Sequence, residues 1–157
     1  MYTATNEPPD EVGRRIILGS RIVTCDFLKS ARGPAKVTNA LRSMRTYPDE
    51  TVEGQNAIQG LVVAGPAVKA NAVTVDSALH PVWRTALLHI ALARGWDANK
   101  SLAEQEAVQR NLTEVEVPIL KQLEPHSNGG AYLNEADGYE KGFQDSFWGS
   151  NYPPLRD

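Results

Sequence analysis

Cysteine is all but missing from this chain. Cys25 stands alone, so neither an intrachain disulfide nor a cysteine-based zinc site can form. Histidine is scarce as well. His80, His89 and His126 are the three present, and no H-x-x-x-H or H-E-x-x-H spacing joins them, which makes a metal enzyme a poor reading. An excess of positive charge is also lacking. Lys+Arg number 16 against Asp+Glu 19, a net charge of -3. A phosphate backbone attracts basic surfaces, so nucleic acid is not an expected partner. No apolar run approaches the ~20 residues that a bilayer-spanning helix needs, so no membrane role is expected. Met1 to Asp10 is polar and holds Pro8-Pro9, which does not read as a secretory signal peptide. A stand-alone hydrolase lacks its nucleophile motif: there is no G-x-S-x-G, and Cys25 has no base partner in sequence. Internal repeats and low-complexity blocks are absent. The compartment is not legible.

What is present fits one domain over residues 1–157, long enough for a real core. Met1 to Val12 reads as a flexible lead-in. Arg15 to Thr24 alternates apolar and polar residues and predicts a strand, interrupted at Gly19. Pro34 to Met44 predicts a helix with Val37, Ala40, Leu41 and Met44 as its core stripe. Tyr47 to Gly54 reads as a loop. Asn56 to Ala64 and Val73 to Val75 predict two strands of one sheet, antiparallel to each other.

The clearest helix is expected from His80 to Gly95, because Trp83, Ala86, Leu87, Ile90 and Ala91 recur at helical spacing. His89 and Arg84 lie off that stripe and are expected at its rim, Arg84 in a surface ion pair. Ser101 and Glu104 have the form of a capping box, and Thr113 and Glu116 repeat it, so a helix should start near each. Pro118 should bend or divide the second, which carries Leu120 and Leu123 inward and ends at Pro125. Asn99-Lys100-Ser101 and Asn111-Leu112-Thr113 match the N-glycosylation sequon, a cheap match that is compatible with secretion. The element order suggests an α+β fold: an antiparallel sheet with helices packed on one face, and an irregular aromatic C-terminal segment.

The functional signal lies near the C-terminus. Gly129-Gly130-Ala131-Tyr132-Leu133-Asn134-Glu135-Ala136-Asp137 is followed by Phe147-Trp148-Gly149-Ser150-Asn151-Tyr152. Glycine allows close backbone approach. In an extended segment Tyr132 and Asn134 point to one side, so a phenol and a carboxamide could line a flat polar heterocycle. The alternative is a glycine-rich strand edge with aromatic packing. No strand–loop–helix frame surrounds Gly129-Gly130, so it is not a phosphate loop.

These two stretches, in this order, resemble the C-terminal signature of the berberine-bridge-enzyme-like FAD-linked oxidases of the vanillyl-alcohol-oxidase superfamily, in the fungal wording. His80-Pro81-Val82-Trp83-Arg84-Thr85-Ala86-Leu87-Leu88 resembles their P-x-W-R-x-A-L segment, and Gly19-Ser20-Arg21 resembles an earlier strand opening. The resemblance implies a substrate domain plus part of the returning C-terminal segment. It maps Tyr132 and Asn134 onto residues that face the flavin, and Asn151 onto the flavin side of the interface, with Tyr152 in packing. Plant members often carry a catalytic tyrosine where this chain has Glu135. A carboxylate can serve as base there, or Glu135 caps or pairs with a nearby Lys or Arg.

The resemblance implies FAD as cofactor, a small-molecule alcohol or amine as substrate, and hydride transfer in secondary metabolism. It also implies that the flavin-binding domain is absent, so that the chain is truncated and inactive alone, with a separate flavin-binding domain as its partner. The alternative is a non-catalytic binding or interaction module that keeps the substrate-domain fold.

Overall fold

The computed structural model describes residues 15–44, 56–124 and 129–156. The expected lead-in, the Tyr47 to Gly54 loop and Pro125 lie outside them. Strand β1 (Ile16–Thr24) leads into a short helix α1 (Cys25–Lys29) and then α2 (Gly33–Ser43). Strand β2 (Asn56–Val62) is followed by helix α3 (Pro66–Ala70), two short 3-10 turns, and strand β3 (Ala86–Gly95). After β3 come α4 (Leu102–Asn111), a π-helical segment at Leu112–Glu116, α5 (Val117–Lys121), α6 (Phe143–Trp148) and α7 (Tyr152–Arg156). The sheet is antiparallel with order β1-β3-β2. The expected α+β class is what the chain adopts.

The longest correction concerns β3. The segment expected as the clearest helix is a 3-10 turn at Pro81–Arg84 and then the central strand. In Leu87-Leu88-His89-Ile90-Ala91-Leu92 nearly every position is apolar, because this strand is covered on both faces. Helical and strand periods cannot be separated in such a run. Hydrogen bonding from β1 and β2 on either side then decides. A second correction follows from it. Val73 to Val75 is no strand and does not pair with β2. Residues Asn71–Val73 form a 3-10 turn, and β2 pairs with β3 instead. Nor is β1 broken at Gly19, which pairs with Leu92.

Alternation along β3 sorts the molecule into two sides. Leu88, Ile90, Leu92 and Arg94 face the helices. There Ile90 and Leu92 join Val23 of β1, Val37, Ala40 and Met44 of the α2 stripe, and Leu112, Val117, Leu120 and Leu123, in one buried cluster with Leu88 packed against it. His89 and Ala91 face the other way, where a smaller cluster of Ile22, Val82 and Ala86 is flanked by Val63 and Trp83.

Ser101 caps α4 with the full reciprocal box expected. Thr113 does not open a second helix. The helix continues through it as a π segment in which the Val117 N–H donates to the Leu112 carbonyl five residues back. Pro118 has no N–H to give, so the ladder is already weakened at this point. The wider turn directs Glu116 inward instead of back to a cap. Its carboxylate accepts from Arg94 Nε at 2.8 Å and Nη2 at 2.9 Å. Arg94 Nη1 also donates to the carbonyls of Ala57 and Ala93. This buried fork therefore ties β2, β3 and the helix together.

Candidate functional site

The glycine pair feeds the chain along the free edge of β1. Ile22 and Gly130 form an antiparallel bridge, with the Ile22 N–H donating to the Gly130 carbonyl at 2.8 Å. Two residues on, the Tyr132 N–H donates to Ser20 Oγ at 2.9 Å. These bonds set Tyr132 against the sheet face that carries His89.

His80 locks this segment to the second motif. Its Nδ1 accepts from the Val82 N–H at 3.0 Å, and its Nε2–H donates to the Asp145 carbonyl at 3.0 Å. A Cβ on Gly130 would come within 3.0 Å of the imidazole, and one on Gly149 within 2.7 Å of Nε2. Gly149 also has φ +54, where a side chain is strained. The two glycine motifs, far apart in sequence, thus close on the same Nε2–Cε1 edge of one buried histidine. Burial pushes the His80 pKa down, against the pull of its bond to Asp145. Both ring nitrogens then have roles that only the neutral imidazole fills.

Tyr132 is followed by a 3-10 turn at Leu133–Glu135, with Glu135 N–H donating to the Tyr132 carbonyl at 3.0 Å. The extended spacing expected for Tyr132 and Asn134 is replaced by this turn, yet the side chains still meet. Asn134 Nδ2 donates to the Tyr132 hydroxyl at 2.7 Å. Asn134 is exposed and Tyr132 half-buried. Neither is sealed in the core.

His89 is where the structure departs most from the sequence reading. Expected at a rim, it is 2% exposed. It sits at the middle of the sheet, opposite Ile22 on one side and Leu61 on the other. Its ring stands edge-on to Tyr132 at 5.6 Å between centroids and tilted to Trp83 at 6.1 Å; Trp83 and Tyr132 are themselves 5.5 Å apart. Beyond this aromatic trio, His89 Nε2 lies 3.3 Å from Glu135 Oε2. The distance is that of an ion pair, but the alignment is too poor for a formed hydrogen bond, and both atoms are buried with no other partner. Burial lowers the His89 pKa and the Glu135 charge partly restores it. The partner of Glu135 is therefore this histidine, in place of the Lys or Arg that the pairing alternative named.

Asn151 is held elsewhere. Its Nδ2 donates to the carbonyls of Leu79 at 2.7 Å and Ser77 at 3.2 Å, fastening the loop that leads to Trp83. Tyr152 packs against Trp148 and Phe143, as expected. Arg84 donates to the Val75 carbonyl and Ser77 Oγ on that loop, and among the described residues it forms no ion pair. Among the described residues no group of His, Cys, Asp and Glu could hold a metal ion, and no helix is long and apolar enough to cross a membrane. Sequence reasoning missed His80 and His89 as organisers. The signal for His80 was the His-Pro start of the P-x-W-R segment. For His89 there was none without the strand assignment.

No protein-family model matches this chain. Curated relatives do. An uncharacterized FAD-linked oxidoreductase of Arthroderma benhamiae is 40% identical over 149 residues, covering 95% of this chain and 24% of that protein. The FAD-linked oxidoreductase malF of Malbranchea aurantiaca is 35% identical over 154 residues, covering 98% of this chain and 25% of that one. Among solved structures, the VAO-type flavoprotein MtVAO713 of Myceliophthora thermophila C1 superposes with a TM-score of 0.73 at 28% identity, covering 90% of this chain and 23% of the other. The chain spans about a quarter of the length of the curated relatives it matches. By fold, by ordered motifs and by these relatives, it belongs to the fungal-type FAD-linked oxidoreductases of the VAO, berberine-bridge-enzyme-like family.

Proposed function

We propose that this chain supplies the substrate side of a flavin-dependent oxidase site. It would fold as one domain, the substrate domain with part of the C-terminal segment, and act in secondary metabolism on a small-molecule alcohol or amine. The observation that carries this reading is the gathering of Tyr132, Asn134 and Glu135 on an accessible sheet face beside buried His89.

The residues present fit the ring portion of FAD. Asn134 is exposed and its carbonyl oxygen has no hydrogen-bond partner among the described residues, so it is available to a polar ring edge. The Tyr132 ring offers a partly open apolar flank. The Asn151 amide is engaged by two backbone carbonyls. Its contribution to the flavin side would be to shape the loop that leads to Trp83. When bound, FAD supplies the electron acceptor that no protein side chain can replace. Glu135 receives the proton from the substrate hydroxyl or amine. Trp83 and Tyr132 orient the substrate against the sheet and exclude water from one side of it.

The chain alone is expected to be inactive and to require a flavin-binding partner segment. The test is co-expression with the flavin-binding portion of the Arthroderma benhamiae relative, followed by visible absorbance of the purified complex and oxygen uptake with candidate alcohols and amines. Retained flavin, with turnover lowered about 10²–10⁴-fold by Glu135→Gln, supports the reading. A complex that retains flavin but turns over equally well with that substitution removes Glu135 as base. The purified chain binding added FAD and oxidising substrate unaided would overturn the requirement for a partner.

A further inference from the structure

The proposed reaction needs a base, and a carboxylate on a short 3-10 turn is not held by its backbone alone. Among the described residues, His89 is the neighbour placed to hold Glu135. We propose that His89 is the positioning residue of this site: a buried imidazole that fixes one oxygen of the Glu135 carboxylate and leaves the other to take the substrate proton. The proposal rests on the functional reading above for the role of Glu135, and on geometry for everything else.

Three observations carry it. First, the contact is a pair of otherwise unused atoms. His89 Nε2 and Glu135 Oε2 are both buried, 3.3 Å apart, and neither has another hydrogen-bond partner among the described residues. Buried polar atoms are nearly always satisfied, so an approach this close between two unsatisfied ones marks a bond that needs only a small rotation to form. Hydrogen bonds of catalytic groups are commonly loose until substrate is bound. Second, the imidazole cannot wander. It projects from the central strand, between Ile22 and Leu61 in the neighbouring strands, and is flanked by the Trp83 and Tyr132 rings. A rigid second group is what a precisely placed base requires. Third, the Glu135 side chain is 27% exposed although Oε2 is buried. The oxygen left to receive a proton is therefore Oε1.

The chemistry is consistent. The groups that titrate against the ring are the Glu135 carboxylate and the Tyr132 phenol; Ile22, Leu61 and Trp83 carry no charge. Burial keeps His89 neutral through the near-neutral range. With its proton on Nε2 the ring is a donor facing Oε2. Proton transfer from substrate to Oε1 leaves the Nε2–H in place, so His89 itself exchanges no proton. It acts through Glu135 and does not touch the substrate.

Two measurements separate this idea from the functional reading. In the chain by itself, the His89 ring is titrated by NMR in wild type and Glu135→Gln. Coupling requires the midpoint to fall in the variant, since the carboxylate is what lifts it. An unchanged midpoint overturns the pairing, whatever the enzyme does. In the flavin-bearing complex, His89→Leu should lower kcat about tenfold to a hundredfold, with KM little changed. His89→Gln should restore most of the rate by supplying a donor at similar reach. A His89→Leu complex with the wild-type kcat overturns the positioning role. Full activity in Glu135→Gln, with the NMR coupling intact, instead strikes the base assignment.

Discussion

At the scale of single residues, His80 and Gly149 decide more than their chemistry suggests. Gly149 can be nothing larger without displacing the imidazole 2.7 Å from where its Cβ would lie, and its φ of +54 adds strain. Gly149→Ala is expected to cost about 1–3 kcal/mol, read as a lowered urea midpoint. The buried histidines also set the acid limit. Their pKa values lie below the ordinary 6.5 in the folded chain, chiefly through burial. The unfolded chain therefore binds a proton at each site while the folded chain does not. Stability should be full above pH 6.5 and fall as pH drops from there toward the lowered values. Denaturation midpoints across that window check the sign, and His80→Gln should flatten the slope. Glu104 acts in the same sense in a lower window. Its bonds to Ser101, the backbone one foremost, bring its pKa from 4.5 down to about 2, so the α4 cap contributes in full through the histidine window and its contribution is lost only as pH falls from about 4.5 toward that value.

Among the elements, the π segment before Pro118 is the instructive one. An S/T-x-x-E pattern at Thr113 to Glu116 is locally a cap, but the helix already has one at Ser101 and does not stop. One extra residue in the turn redirects Glu116 to Arg94 in the core. Two buried charges cost much to desolvate, and the fork with its added carbonyl bonds offsets that cost only while both partners are present. Glu116→Gln should therefore destabilise the chain by about 3–5 kcal/mol, measurable by chemical denaturation. β3 illustrates the same limit on local reading. Its apolar run was legible as core, with Ile90 and Ala91 buried, but not as strand.

For the whole molecule, the consequence lies on the sheet edge. β2 has no charged residue and no proline, and it exposes Ile58, Leu61 and, at 81%, Val62. Edges without such guards invite pairing with another strand, and contiguous exposed apolar surface invites association. The purified chain is expected to associate with rising concentration. Leu61→Lys should shift it toward monomer in light scattering, without loss of the folded far-ultraviolet spectrum. A chain that stays monomeric at every concentration would show that edge to be guarded by other means.

The sequence by itself determined the family, the α+β class, the core stripe of α2 and the capped start of α4. These rest on short-range order: motif wording, helical spacing and a box closed within four residues. Only the tertiary structure decided that the Trp83 to His89 segment is a turn and a central strand, that Glu116 is a core ion pair, and that His89 stands behind Glu135. Each of these depends on partners remote in sequence. Hydrogen bonds from two strands, a guanidinium from a third element and a ring pressed between others supply energies that local preference cannot match, and no window of neighbouring residues contains them.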